Sequence, residues 1–133
     1  RDELFYEKKM SGHARFKGNK LATAGRIMLN ELTNKIYEEN KYVTPCYAGN
    51  LSGVMYPEGD VYPCEILGDE HKIGNIRDFD LDFKKLWSSY KAKQEVKFIR
   101  KSKCYCTHEC FNIVNILFNP KFYPKIIKTS KLI

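Results

Sequence analysis

The residues best suited to chemistry in this 133-residue chain are its five cysteines: Cys46, Cys64, Cys104, Cys106 and Cys110. The last three fall within seven residues, Cys104-Tyr105-Cys106-Thr107-His108-Glu109-Cys110. Thiols so crowded pair poorly with one another, and an odd total does not suit a disulfide framework. Nor does the composition carry a secretory cue, so a cytoplasmic protein with reduced thiols is expected. Metal ligation is the better use of them. Zinc sites usually present two pairs of thiols, each pair two to four residues apart. Here the gaps within the cluster are one and three residues, and Cys46 and Cys64 stand a whole hairpin apart. Thiolate ligation of an iron–sulfur cluster tolerates such irregular, loop-borne spacing, and a [4Fe-4S] centre needs four ligands. Spacing therefore favours iron–sulfur, with zinc as the alternative.

These thiols must be placed by the elements around them. Two helical runs are expected first, from Asp2 to about Phe16 and from Lys20 to about Asn40, split at Lys17-Gly18-Asn19 with Asn19 as N-cap. In the second, Leu21, Ala24, Met28, Leu32 and Ile36 recur at three- and four-residue steps, a core-packing stripe. Asn50–Tyr56 and Asp60–Tyr62 read as the arms of a hairpin. Pro57-Glu58-Gly59 turns it, with Gly59 free to take φ > 0. Folding this hairpin brings Cys46 and Cys64 together at its open end. Gly68 and Gly74-Asn75 predict turns, and short helices are expected at Asp82–Trp87 and Ser89–Arg100. Phe83, Leu86 and Trp87 should pack against the hairpin. A helix from His108 to Phe118, capped by Thr107, should stop at Asn119-Pro120, and Pro124 should interrupt the basic segment beyond it. The fold class predicted is α+β, a small hairpin and helices around a metal centre. Three parts are expected: a helical linker at 1–43, the metal-binding domain at 44–118, and a basic C-terminal tail helix at 119–133.

Composition sets the remaining bounds. Hydrophobic residues make up 43% of the chain, which excludes extensive disorder, and no apolar run approaches the ~20 residues that span a bilayer. Net charge is +7. Acids gather between Glu58 and Asp82. From Lys84 to Lys103 eight bases face one acid, Glu95, and Lys121, Lys125, Lys128 and Lys131 follow without any acid. A solvated helix face accounts for such runs; so does a surface for nucleic acid, phosphate or an acidic peptide. No nucleic-acid-reading motif accompanies the charge, so nucleic acid is not favoured as a partner.

The combination resembles the SPASM/twitch domain of radical SAM enzymes. Cys46-Tyr47-Ala48-Gly49 opens it, Gly59-Asp60-Val61-Tyr62-Pro63-Cys64 closes the hairpin, and Gly74-Asn75-Ile76, Leu86-Trp87 and the cysteine cluster follow. The family opens Cys, nine to fifteen residues, Gly, four residues, Cys; here the two gaps are twelve and four. The second family pattern, Cys-x2-Cys-x5-Cys-x3-Cys with a later cysteine, is kept only in the gap from Cys106 to Cys110. The full family form uses seven cysteines for two clusters. The resemblance therefore implies one auxiliary [4Fe-4S] cluster, on Cys46, Cys64, Cys110 and either Cys104 or Cys106. His108 stands at a helix start beside that set.

It also implies that the chain is the C-terminal part of a larger enzyme, an expectation to which the start at Arg1, without methionine, adds. S-adenosylmethionine would be bound by an upstream barrel through a Cys-x3-Cys-x2-Cys motif that these residues do not contain. The role left to this part is electron relay or substrate binding, the substrate being a peptide or a small molecule. Two other classes compete: a zinc-stabilised, non-catalytic interaction domain, and a basic nucleic-acid-binding module.

Overall fold

The computed structural model describes residues 18–133. The helix expected at Asp2–Phe16 lies outside them. The elements are α1 (Asn19–Glu39), β1 (Val54–Met55), β2 (Asp60–Tyr62), β3 (Gly74–Asn75), α2 (Phe83–Trp87), α3 (Tyr90–Lys101), α4 (Glu109–Leu117) and α5 (Tyr123–Leu132), with short 3₁₀ turns between some of them. The small antiparallel sheet with surrounding helices makes the class α+β. Its contacts divide into two compact units, Lys41–Cys106 and a helical unit of the described residues up to Asn40 with Thr107–Ile133.

In the helical unit α1 packs against both α4 and α5. Its buried face is Ala24, Gly25, Met28, Leu29, Leu32 and Ile36, and Phe111, Ile116 and Ile126 are buried on the other two helices. Leu21 departs from the expected stripe. It is 54% exposed, and the buried face begins at Ala24. The N-cap is Gly18 at φ 99°, not Asn19, which opens the helix and accepts from the Lys20 amide (2.7 Å). Thr107 does not cap α4; His108 occupies that position, without a side-chain cap bond. Pro124 does not interrupt the last helix. It sits in the first turn of α5, where a missing N–H costs nothing.

The unit Lys41–Cys106 is built from turns. Strand β2 is the centre of the sheet, with Val54 opposite Tyr62, Met55 opposite Val61, Asp60 opposite Asn75, and Val61 opposite Gly74. Gly74-Asn75 therefore forms an edge strand rather than a turn. Its polar side chain is used across the sheet: Asn75 Nδ2 donates to the Glu58 carbonyl (2.9 Å) and to Asp60 Oδ1 (2.6 Å). Gly59 takes φ 89°, as the hairpin requires. Arg77 also reaches the Glu58 carbonyl, so the turn is clamped from β3. Lys72 pairs with Asp60 (2.6 Å), and that bond together with the one from Asn75 holds the Asp60 carboxyl below its ordinary range.

A small core lies beneath the sheet: Val61, Ile73, Leu86 and Ala92, with Ile76, Phe79 and Trp87 packed on it. Helix α2 is capped by Asp82, which accepts from the Lys85 amide, and α3 by Ser89, which accepts from Ala92. Trp87 lies so close to the first hairpin arm that a Cβ on Gly53 would come within 2.5 Å of its ring. The predicted packing of Leu86 and Trp87 on the hairpin is what forms, while Phe83 stacks on Trp87 (5.2 Å) and stays half exposed.

Candidate metal centre

Three of the four cysteines of Lys41–Cys106, namely Cys46, Cys64 and Cys104, adjoin a tight local backbone feature. Immediately after Cys46 the chain makes a tight loop: the amides of Asn50 and Leu51 donate to the Tyr47 carbonyl, and that of Gly49 to Ser52 (2.7 Å). Gly49 adopts φ 75°. A Cβ there would stand 3.1 Å from Pro63 and 3.4 Å from Val96, so the loop is pressed against α3 and against the residue preceding Cys64. Pro63 is fully buried and Cys64 is buried beside it. The loop that follows Cys46 thus packs against the residue that precedes Cys64.

Cys104 is set by the end of α3. Lys103 takes the left-handed conformation (φ 51°), the Cys104 amide donates to the Ile99 carbonyl (3.2 Å), and the Lys103 amide to Arg100 (3.4 Å). These are the two bonds of a Schellman cap, which turns the chain sharply off the helix. Because Ile99 also lies beneath Gly49, the cap carries Cys104 toward the loop after Cys46. Electrostatics record the result. Burial pushes the Cys104 thiol up to about 11, and the charges of Cys46, Cys106 and Cys64 push in the same direction.

Cys46, Cys104 and Cys106 are half-buried, and no cysteine is in a disulfide. Cys110 is an exposed residue in the first turns of α4, in the helical unit. Among the described residues no three of His, Cys, Asp and Glu are grouped so as to hold a single metal ion. The donor set, four soft thiols from three separate loops, one buried and three half-buried, has the chemistry that thiolate-bound iron–sulfur centres use.

A second polar cluster braces α3 from behind. Glu95, 4% exposed, accepts from His71 Nδ1 (2.7 Å) and pairs with Lys91, which also donates to the Glu70 carbonyl (3.2 Å). His71 packs on the Phe98 ring at 4.4 Å. In the sequence Glu95 is merely the single acid of a basic helix. Its four-residue spacing from Lys91 and from Ile99, which puts the three on one helix face, was the signal available.

Gly49 and Pro63 were part of the motif, but the packing of Gly49 on Val96 and Ile99 joins residues about fifty apart in sequence. The Schellman cap was missed because its left-handed residue is a lysine rather than glycine.

A family model described as SPASM, an iron–sulfur cluster-binding domain, matches residues 46–112. Neither the curated proteins nor the solved structures compared with the chain contain a match. Among the described residues no helix is long and apolar enough to cross a membrane.

Proposed function

The chain belongs to the SPASM family of iron–sulfur cluster-binding domains, and on that premise we propose that it holds one [4Fe-4S] cluster on Cys46, Cys64, Cys104 and Cys106. What supports this set is that all four thiols belong to the one compact unit Lys41–Cys106, where the loop after Cys46 packs against Pro63, beside Cys64, and the Schellman cap turns the chain at Cys104. This set differs from the one implied by resemblance, which used Cys110.

The residues divide the work. Cys64 is fixed by buried Pro63, and the Tyr47–Ser52 loop and the Schellman cap hold Cys46 and Cys104. Thiols must lose their protons to ligate metal. With its proton held up to about pH 11, Cys104 is neutral in the metal-free protein and releases that proton on loading. When bound, such a cluster supplies a one-electron redox centre.

In the cell this domain serves a radical SAM enzyme in the cytoplasm as its auxiliary centre, relaying an electron or helping to bind substrate, a peptide being one class it would serve. S-adenosylmethionine binds to a separate catalytic barrel. The test is anaerobic reconstitution of the chain with iron and sulfide. About four irons and four sulfides per chain, with a reduced [4Fe-4S] EPR signal, are expected. One tightly held zinc, no iron uptake and a fold that survives would instead establish a zinc-stabilised interaction domain.

A further inference from the structure

Two grooves lie side by side on the unit Lys41–Cys106, and the established cluster-binding property uses neither. The first, of about 700 Å³, runs between the Gly49-Asn50 loop and α3. Lys93, Lys97 and Arg100 line it. They follow one another at steps of four and three residues, which puts them on one face of the helix in a row about 10 Å long. All three are exposed, and among the described residues none makes an ion pair. Their neighbour Lys91, on the opposite side of α3, is by contrast consumed by Glu95. Unpaired cations in a concave surface attract anions more strongly than the same charges on a convex one.

The second groove, of about 320 Å³, is apolar, and Leu51, Met55 and Phe83 line it. These side chains are 46%, 58% and 47% exposed, more apolar surface than a sheet edge needs for its own packing. Trp87 lines both grooves and so forms the ridge between them. Its ring is fixed, stacked on Phe83 with its indole N–H donating to the Asn50 carbonyl (3.3 Å).

We propose that the two grooves form one docking site for an acidic peptide segment that carries an apolar side chain. Charge complementarity selects an anion for the first groove. The apolar groove beyond Trp87 then selects among anions: a nucleobase could stack on an aromatic ring, but Leu51, Val54 and Met55 make most of this lining aliphatic, which suits a peptide that sets carboxylates on the lysine row and a leucine or phenylalanine against Met55. Extended peptide residues on one face repeat at about 6.8 Å, close to the ~6 Å rise from Lys93 to Lys97.

The experiment measures fluorescence anisotropy of a labelled twelve-residue probe, rich in glutamate with a central Leu-Phe pair, on the cluster-loaded full chain. Saturable binding is expected, weakened about tenfold or more by Lys93→Ala, Lys97→Ala and Arg100→Ala together. Met55→Asp and replacement of the probe's Leu-Phe pair by serines should each weaken it several-fold. All substituted side chains are exposed, and an unchanged visible cluster spectrum shows that loading is intact. That spectrum separates failure of this proposal from failure of the cluster assignment. Equal binding of the serine probe, tighter binding of a twelve-nucleotide single strand, or no effect of the triple substitution would each overturn it.

Discussion

The two compact units of this chain solve the problem of stability differently. In the helical unit a 21-residue helix presents one apolar stripe, and α4 and α5 cover it. In Lys41–Cys106 the strands are only two or three residues long. Backbone turns there are held by Asn75, Arg77 and Lys72 around one small core. Its one long element is α3, and of its four thiols Cys64 is buried while Cys46, Cys104 and Cys106 are half-buried. The comparison teaches that metal and fold should be coupled in the turn-built unit and uncoupled in the helical one.

Removing the metal is the strongest way to break that comparison. Chelation of the loaded chain should weaken hydrogen-exchange protection in Val61, Ile73 and Ala92 without unfolding their unit, while Met28 and Leu32 keep theirs. Equal loss in both units would show that the coupling is global.

Core truncation comes next. Leu86→Ala, at a side chain with no exposure, should destabilise by about 3 kcal/mol and loosen the seat of Trp87, measured by chemical denaturation of the loaded protein. Glu95→Ala removes the partner of His71 and Lys91 and should cost about 2 kcal/mol, read in the same way.

A smaller effect depends on pH. The folded metal-free protein binds the Cys104 proton more tightly than the unfolded chain, whose thiol has its ordinary value of 9.0. The stability this gives is complete below about pH 9 and is lost as pH rises toward about 11. Thermal unfolding of the metal-free chain between pH 8 and 11 should therefore show a declining melting temperature, and Cys104→Ser should flatten the decline.

The smallest effect runs the other way. Lys103 holds a left-handed conformation at the end of α3 that glycine adopts without penalty, so Lys103→Gly should stabilise the protein by up to about 1 kcal/mol in denaturant titrations.

How much of this was legible in the sequence follows the same division. Helix α1 was readable because its apolar spacing extends over several turns, and only its first turn differed, at Leu21 and Asn19. The hairpin was readable because Pro57-Glu58-Gly59 specifies its turn locally. Gly74-Asn75 was misjudged because glycine and asparagine signal turns by themselves, whereas here Asn75 bonds across the sheet to Asp60 and Glu58. The cysteines and their chemistry were legible from residue type and spacing. Their mutual placement was not, since it rests on contacts of Gly49 with Pro63 and Val96 and on a cap made by a lysine.

The most direct test of the ligand set is a series of five single Cys→Ser variants, each reconstituted anaerobically and compared by iron content and by the visible spectrum of the cluster. Loss or alteration of the cluster in the Cys46, Cys64, Cys104 and Cys106 variants, with the Cys110 variant like the parent, is the predicted result. A Cys110 variant that loses its cluster while Cys104→Ser or Cys106→Ser keeps a normal one would contradict it and return the fourth ligand to α4.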